Sequence, residues 1–558
     1  MLTGFLRERI ALGLLIAVWL AAGLFGRDPW KPDEAYNFGV VHHILNTGDW
    51  VVPAIAGEPF MEKPPLFYIT AAFFAHAFGS FMPLHDAARL ACAFYVGLTL
   101  LCTALTARAL FGRGAARAAL LFLMGCIGYF HSAHLLVTDN ALVAGVAIAL
   151  YGLAIHRLRP ALGGIALGTG TGVAFLAKGL IGPGMVGLTA LALLALPAWR
   201  TRDYARTLAI AALALAPWLV IWPAALYARS PALFHEWLIV NNFGRYTGTA
   251  NLGPAHDHWM YVRILPLFAL PALPLAAWSA WRALRRREAQ AALPLAASTA
   301  MLALLSSACN SRDLYALPML VPLSVAAAAY LHELPRACER VLRWLGLALG
   351  TAGALALWLG WGVLIARWPA ALANALLAFR PQFSAGVDLA LVALALAASA
   401  GALALWRCAA SRLPFAWAYS VTFAWALFFT LWLPYEDYGN SYRGLVAQIK
   451  SRLPRGAHCI AGRDLGEPQR AMLEYFGGIV TQPEHSVQGS DCEVLLVQQQ
   501  GPDVPLPPHR RDWLALWRGA RPGDATECFS LFASMQLVAE PQLQEIDPRV
   551  GIAQARVR

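Results

Sequence analysis

Apolar runs long enough to cross a lipid bilayer recur along most of this chain, and they constrain its fold more than any other feature. A helix needs about 20 apolar residues to cross the hydrocarbon core, and such runs explain a composition that is 59% hydrophobic and 13% charged. The first run, Ile10 to Gly26, follows Arg7 and Arg9, and no small-residue cleavage site follows it. We interpret it as a retained transmembrane helix, and we predict a polytopic α-helical membrane protein.

About thirteen runs are long enough to span the membrane, and a further stretch, Leu66 to Met82, is ambiguous. If that stretch lies flat at the interface, every arginine cluster between later runs falls on the same side as the N-terminus. The positive-inside rule favours this arrangement, so we predict interfacial helices at Asp33 to Trp50 and at Leu66 to Met82. The clusters are Arg108/Arg113/Arg117, Arg157/Arg159, Arg200/Arg202/Arg206, Arg282/Arg285/Arg286/Arg287, Arg336/Arg340/Arg343 and Arg407/Arg412.

The same arginine clusters explain the basic character of the chain. The net charge is +11, but the arginines lie in short groups between apolar runs, where they set orientation in the membrane. Nucleic-acid binding is therefore not expected. The glycine-rich stretch Gly168 to Gly172 is not a nucleotide loop either, because no strand precedes it and no Gly-Lys-Ser/Thr follows. Close packing of helices explains it better.

The topology divides the chain into a membrane part and a soluble tail. We predict a transmembrane domain over residues 1–434, with a first outer loop at 27–86 and a second large outer loop at 228–262. Residues 435–558 follow on the same outer side, where "HCIAG", "EVLLVQ" and "CFSLFASM" are typical of short buried strands and "EPQRAMLEYF" of a helix. A small α/β domain is expected. Its cysteines, Cys459, Cys492 and Cys528, allow at most one disulfide, and the pairing stays open.

Polar residues that do not act as topology signals collect on the outer face in this arrangement. They come from six loops, and their convergence predicts a composite site just outside the bilayer. They are Asp33, Glu34, Glu62, Lys63, Asp139, Lys178, Arg245, His256, His258, Arg312 and Tyr315.

Several of these residues also have ordinary structural interpretations. Acidic side chains such as Asp33 and Glu34 suit the first turn of a helix, and Asp139 or its neighbours could cap the helix they begin. Lys178 is different, because a lone cation between two apolar runs is costly and usually functional. Lys63, Arg245 and Arg312 are suited to hold a phosphate. Glu62 with His256, or His258 as well, could bind a divalent ion such as zinc, and plain polar contacts are the alternative.

The motifs "DEA" at Asp33, "EKPPL" at Glu62, "TDN" at Asp139 and "AKG" at Lys178, together with a soluble C-terminal tail, resemble a known family. The chain resembles the membrane glycosyltransferases of the protein O-mannosyltransferase superfamily, which have the GT-C fold. Within it, the chain is most similar to the bacterial 4-amino-4-deoxy-L-arabinose lipid A transferases. The resemblance covers the whole chain and is closest from Asp33 to Lys178.

This resemblance implies an inverting, pentosyl-transferring enzyme at the periplasmic face of the bacterial inner membrane. The donor would be undecaprenyl-phosphate aminoarabinose and the acceptor lipid A, with membrane lipids around a monomeric protein; polymyxin resistance would follow. Asp33 and Asp139 are the catalytic candidates. Lys63, Lys178, Arg245, Arg312, Tyr315 and Glu34 are the substrate-binding candidates. No essential cofactor is expected, and zinc on Glu62 and His256 is an alternative.

Two other functions remain open from the sequence. One is transfer of another polyprenyl-phosphate sugar, such as mannose, to a protein or glycan. The other is transport of a lipid or sugar. Transporters place charges near the middle of the bilayer and often consist of repeated halves. This chain shows no internal repeat and has its charges at one face, which favours a transferase.

Overall fold

The computed structural model describes residues 2–250, 257–499, 513–522, 524, 527–535 and 537. Most of them are helical. The α-helices are Leu2–Ala21, Asp33–Thr47, Leu66–Phe78, Leu84–Phe111, Arg113–Gly125, Ile127–Ser132, Asp139–Ala154, Pro160–Lys178, Ile181–Leu194, Arg202–Arg229, Pro231–His235, Arg245–Thr247, Met260–Phe268, Ala272–Arg286, Ala292–Ser307, Leu320–Ala329, Arg336–Ala366, Ala370–Phe379, Leu389–Ala409, Leu413–Leu427, Leu433–Asn440, Arg443–Arg452, Glu467–Met472 and Val487–Ser490. Short 3-10 helices lie at Pro197–Trp199, Ala289–Ala291, Asp313–Met319 and Leu331–Glu333, and π-helices at Glu236–Gly244, Phe428–Trp432 and Leu473–Gly477.

The count of about thirteen spans is not confirmed. Within the described ranges, seven helices are long and apolar enough to cross a membrane, and a bent pair, Met260–Phe268 with Ala272–Arg286, brings the count to eight. The two helices of that pair meet at 102°. Other apolar helices, such as Asp139–Ala154 and Ile181–Leu194, are shorter. The sequence predicted them as full spans because an apolar run does not show where a helix ends inside a bundle.

The first outer segment contains two helices joined by a small hairpin. Helix Asp33–Thr47 begins after Pro32 and ends at Gly48, whose φ of 71° is left-handed. The strands Ala54–Ile55 and Glu58–Pro59 pair antiparallel. Helix Leu66–Phe78 follows the two prolines of "EKPPL" and has 13 residues, so it is about 20 Å long and too short to cross the bilayer. Its length agrees with the predicted interfacial position.

Close packing joins the two helices that carry Asp139 and Lys178. A Cβ atom added at Gly170 would lie 2.5 Å from the backbone nitrogen of Ala149, and one at Gly145 would lie 2.6 Å from the carbonyl oxygen of Gly170. Only glycine allows so close an approach of two backbones. The predicted packing role of the glycine-rich stretch is confirmed, and it brings the outer ends of helices Asp139–Ala154 and Pro160–Lys178 together.

The C-terminal tail forms a five-stranded mixed sheet. The three predicted strands are confirmed as Ile460–Arg463, Val494–Gln499 and Cys528–Ala533, and the predicted helix begins at Glu467. Two strands were not predicted, Thr481–Pro483 and Leu514–Ala520; both lie at the edges of the sheet, where one side lacks a partner strand and the sequence signal is weak. The spatial order, by first residue, is Thr481, Ile460, Val494, Cys528, Leu514. Cys459 and Cys492 form a disulfide, and the domain boundary predicted at residue 435 falls within helix Leu433–Asn440.

Ion pairs and hydrogen bonds fasten this domain to the first outer segment. Arg443 donates to Asp28 with an Nε to Oδ2 distance of 2.9 Å, and the Ser441 hydroxyl donates to the same oxygen at 2.6 Å. Two further ion pairs join Lys31 to Asp524 and Arg470 to Glu58. The domain therefore contacts the chain on both sides of helix Asp33–Thr47.

Candidate active site

A small polar cavity brings together residues from six separate parts of the chain. Seven of its lining residues are substrate-binding or catalytic candidates from the sequence, and an eighth is the metal candidate Glu62. Its charged lining comprises four cations and three carboxylates, so the cavity carries a net positive charge that suits a phosphate. The lining is Asp33, Tyr36, Glu62, Lys63, Val137, Asp139, Lys178, Arg245, Arg312, Leu314 and Tyr315.

Asp33 is the first residue of its helix, and its carboxylate faces the cavity. Oδ1 accepts a hydrogen bond from the Tyr36 hydroxyl at 2.7 Å, and Arg312 Nη1 lies 3.6 Å from the same oxygen. The side chain keeps 21% of its surface exposed. A carboxylate with few donors and open surface retains the capacity to accept a hydrogen bond from a substrate.

Asp139 and Lys178 form a nearly buried ion pair at the meeting point of their two helices. No side chain caps helix Asp139–Ala154, so the capping interpretation of Asp139 is not supported. The Lys178 ammonium also lies 4.0 Å from the centre of the Tyr315 ring, a cation–π contact. Gly179 ends the lysine helix at a φ of 72°, and a side chain there would collide with the Asn242 amide. The close contact of the backbone at Gly179 thus fixes the position of Lys178.

Glu62 is paired with Arg245, whose Nη2 lies 2.6 Å from Glu62 Oε1. Burial opposes ionisation of this carboxyl, but the hydrogen bond and charge of Arg245 lower the pKa of Glu62 below its ordinary value. A metal ion on Glu62 would have to displace the arginine. His256 lies outside the described residues, and within the part of the chain that is described no three His, Cys, Asp or Glu side chains could share a metal ion.

Lys63 differs from the other three cations of the cavity. Its ammonium donates to the Tyr36 hydroxyl at 2.8 Å, and it makes no ion pair within 4.0 Å among the described residues. Burial is the main cause that lowers the pKa of Lys63, because a desolvated ammonium is disfavoured. Lys63 is therefore the cation of this cavity whose charged form a bound anion would stabilise most.

Glu34 points away from Asp33 into a buried cluster of two arginines. Its Oε1 accepts from Arg27 Nη2 at 2.9 Å, from Arg89 Nε at 3.2 Å and from the backbone nitrogen of Leu136 at 2.9 Å. Burial opposes its ionisation, but the two guanidinium groups hold the pKa of Glu34 at about 2. These contacts give Glu34 a structural role, and they lend no support to the prediction that it binds substrate.

Two larger cavities flank the small one. The first, of about 320 Å³, shares five of its lining residues, Glu62, Lys63, Lys178, Arg245 and Tyr315, and is otherwise largely apolar, with Leu142, Ile181, Met185 and Leu304. The second, of about 780 Å³, shares Asp33 and is lined by residues that include Lys31, Trp425, Phe428 and Glu436. These two larger cavities, here called chambers, share lining residues with the polar cavity, one at its cationic side and the other at Asp33.

Sequence reasoning missed three residues that organise this region. Tyr36 links Asp33 to Lys63, and Arg27 and Arg89 hold Glu34. Tyr36 lies three residues after Asp33 on the same helix face, a spacing that brings side chains together. Arg89 lies at the start of an apolar run, three residues after Asp86, and a charge at that position is the kind of signal that identified Lys178.

Solved structures with the same architecture decide the fold. ArnT from Cupriavidus metallidurans bound to undecaprenyl phosphate superimposes with a TM-score of 0.69 at 19% identity, covering 97% of this chain and 100% of that one. Its apo form gives the same TM-score at 18% identity. The chain has the GT-C fold. The fold predicted from the resemblance is therefore confirmed, with the C-terminal sheet domain as part of it.

Sequence relatives agree with this fold. Residues 62–222 match the family described as dolichyl-phosphate-mannose-protein mannosyltransferase. An undecaprenyl phosphate-α-4-amino-4-deoxy-L-arabinose arabinosyl transferase of Sodalis glossinidius is 28% identical over 58% of this chain and 59% of its own length. One from Serratia proteamaculans is 27% identical over 60% of each chain. The match thus spans about three fifths of these relatives, and the resemblance to aminoarabinose transferases is confirmed.

Proposed function

We propose that this protein is an inverting glycosyltransferase that moves 4-amino-4-deoxy-L-arabinose from undecaprenyl phosphate to a phosphate of lipid A. The observation that carries the proposal is the charged cavity between two apolar chambers. Two lipid substrates can enter from opposite sides and bring their phosphates together there. The relatives' names supply the donor, and lipid A supplies an acceptor that is itself a phosphate-bearing lipid.

The reaction is a single displacement at the anomeric carbon of the sugar. An oxygen of the acceptor phosphate forms the new bond to this carbon, the bond to the carrier phosphate breaks, and its electron pair stays on undecaprenyl phosphate. The leaving group is a stable anion and needs no proton. Lys63, Lys178 and Arg245 line both the polar cavity and the chamber beside it, and their charges stabilise the leaving phosphate.

Asp33 faces the other chamber and takes the acceptor side of this reaction. Because the acceptor phosphate is already ionised at neutral pH, no general base is required. Asp33 instead orients the acceptor or binds the amino group of the donor sugar, and Asp139 holds Lys178 in place through their ion pair. No step requires a metal.

The periplasmic face of the inner membrane is the proposed location of the site. The arginine clusters favour this orientation through the positive-inside rule. The Cys459–Cys492 disulfide lies in the C-terminal domain on the same side as the cavity, and disulfides persist in oxidising compartments such as the periplasm. The donor and lipid A would meet there in the outer leaflet.

The test is mass spectrometry of lipid A from a host that lacks its own aminoarabinose transferase. We expect the wild-type protein to add aminoarabinose and to raise polymyxin resistance. We expect Asp33→Asn to reduce the modification by about 10- to 100-fold, the loss of a hydrogen bond made by a charged group, while Glu236→Gln, which changes an exposed carboxylate outside these cavities, leaves it intact. Unmodified lipid A with a well-folded wild-type protein would contradict the lipid A assignment.

Transfer of a different polyprenyl-phosphate sugar is the second candidate, because the matching family is described by a mannosyl donor. Purified protein incubated with undecaprenyl-phosphate aminoarabinose or undecaprenyl-phosphate mannose separates the two. Release of carrier phosphate from the mannosyl donor alone would favour the second function.

A further inference from the structure

A second large cavity lies at the opposite end of the helix bundle from the candidate active site. It measures about 790 Å³ and is formed where several helices end. Helix Leu84–Phe111 connects the two regions: Arg89, near its start, contacts Glu34, and Phe111, at its end, lines this cavity. The separation along the helix is about 30 Å, the thickness of the hydrocarbon core. We name it the basic cavity.

Cations outnumber acids in the charged lining of the basic cavity. Two connections between helices contribute four arginines: Arg113 and Arg117 at the start of helix Arg113–Gly125, and Arg407 and Arg412 at and just after the end of helix Leu389–Ala409. Of the described residues that line it, Glu339 is the one acid, and Arg343, which does not line the cavity, lies 3.9 Å from its carboxylate. An anion is therefore the favoured occupant.

The rest of the lining is apolar. Leu12, Phe111, Leu121, Leu331 and Phe415 form walls that face the same space as the arginines. A soluble anion such as inorganic phosphate would contact only the arginines and would leave the apolar walls exposed to water. A lipid with a phosphate head group and acyl chains matches both parts of the lining.

We propose that the basic cavity binds an anionic phospholipid of the membrane leaflet opposite the candidate active site. The phosphate lies among these four arginines, and an acyl chain lies against the apolar walls. Because the cavity joins the start of helix Leu413–Leu427 to the loop after helix Leu84–Phe111, a bound lipid holds these helix ends together. This site is separate from the proposed transfer reaction and does not rest on it.

The test uses native mass spectrometry of the full-length, delipidated protein in detergent, titrated with phosphatidylglycerol, cardiolipin or zwitterionic phosphatidylcholine. We expect the wild-type protein to bind the two anionic lipids more tightly than phosphatidylcholine. In the double variant Arg407→Gln/Arg412→Gln, we expect affinity for phosphatidylglycerol to fall by roughly thirtyfold. Arg113→Gln/Arg117→Gln provides a second variant at the start of helix Arg113–Gly125, and all four arginines are exposed.

The matched control is Arg336→Gln/Arg340→Gln. These two exposed arginines lie in another cluster on the same face and do not line the basic cavity. We expect this control to keep wild-type affinity within about twofold. Equal binding of anionic and zwitterionic lipids, or an equal loss in the control, would overturn the proposal. So would anionic lipid binding that persists in both cavity variants at an unchanged unfolding temperature.

Discussion

Asp33 and Glu34 are neighbours in the chain, but their carboxylates lie in two different environments. Asp33 faces an open polar cavity, with a tyrosine hydroxyl and a more distant guanidinium as partners. Glu34 is fully enclosed by two arginines and a backbone amide. The comparison teaches that hydrogen-bonding capacity left unused, together with access, distinguishes a carboxylate that can meet a substrate from one that holds the fold.

The largest expected effect is the loss of stability when Glu34, the structural carboxylate, is replaced. Glu34→Ala leaves Arg27 and Arg89 buried without their shared partner. Removal of one member of a buried charge cluster costs about 3–5 kcal/mol of the free energy of unfolding. Urea or thermal unfolding of purified protein in detergent, followed by tryptophan fluorescence, measures this loss.

Asp33→Asn is the matched control for that measurement. It alters a partly exposed carboxylate whose arginine contact is long, so we expect a change of about 1 kcal/mol or less. If the two variants lost equal stability, the division into a structural and a functional carboxylate would be wrong.

A smaller effect is expected on binding of the donor when Lys63 is replaced. Lys63→Met removes the cavity cation that has no carboxylate partner in the described chain, and a charged hydrogen bond of this kind contributes about 1.5–3 kcal/mol. We expect the KM for the undecaprenyl-phosphate donor to rise by roughly 10 to 100-fold. Steady-state kinetics with a synthetic donor measure it.

The pH dependence of donor binding tests the same lysine. Burial lowers the pKa of Lys63, so its ammonium loses its proton at a lower pH than an ordinary lysine does. Donor affinity should therefore fall as pH rises towards this lowered pKa. Lys63→Arg should move the fall to higher pH, because a guanidinium stays protonated; an identical alkaline limb in both proteins would exclude Lys63 as its cause.

The smallest expected effect concerns Tyr36, the link between Lys63 and Asp33. Tyr36→Phe removes one hydroxyl that donates to Asp33 and accepts from Lys63. We expect kcat/KM to fall by about two- to tenfold, corresponding to about 0.5–1.5 kcal/mol, with the unfolding temperature nearly unchanged. Tyr68→Phe is a comparable control, since the Tyr68 hydroxyl donates to Asn37 outside the cavity lining.

Much of the site could be predicted from the sequence, because charge placement in a membrane protein is costly and therefore informative. Lys178 and Asp139 stood out as polar residues at the ends of apolar runs, and the positive-inside rule placed them on one face with Lys63 and Arg245. Their meeting in one cavity agrees with that argument, while their roles in binding and catalysis stay predictions.

The individual pairings could not be predicted in the same way. Glu34 pairs with Arg27 from the bend after the first helix and with Arg89 from helix Leu84–Phe111, and such contacts depend on how these segments pack together. The predicted number of membrane spans was not confirmed, for a related reason. Helix Asp139–Ala154 has 16 residues and begins at the cavity, and an apolar run alone does not show where within it a helix begins.

The fastening of the C-terminal domain has a mechanical consequence. Its ion pairs to Lys31 and Glu58 lie two residues before Asp33 and four residues before Glu62. Because the C-terminal domain forms ion pairs with both segments, any tilt of this domain displaces the carboxylates of Asp33 and Glu62 together. The distance between Asp33 and Glu62 across the cavity therefore depends on where the C-terminal domain sits against the first outer segment.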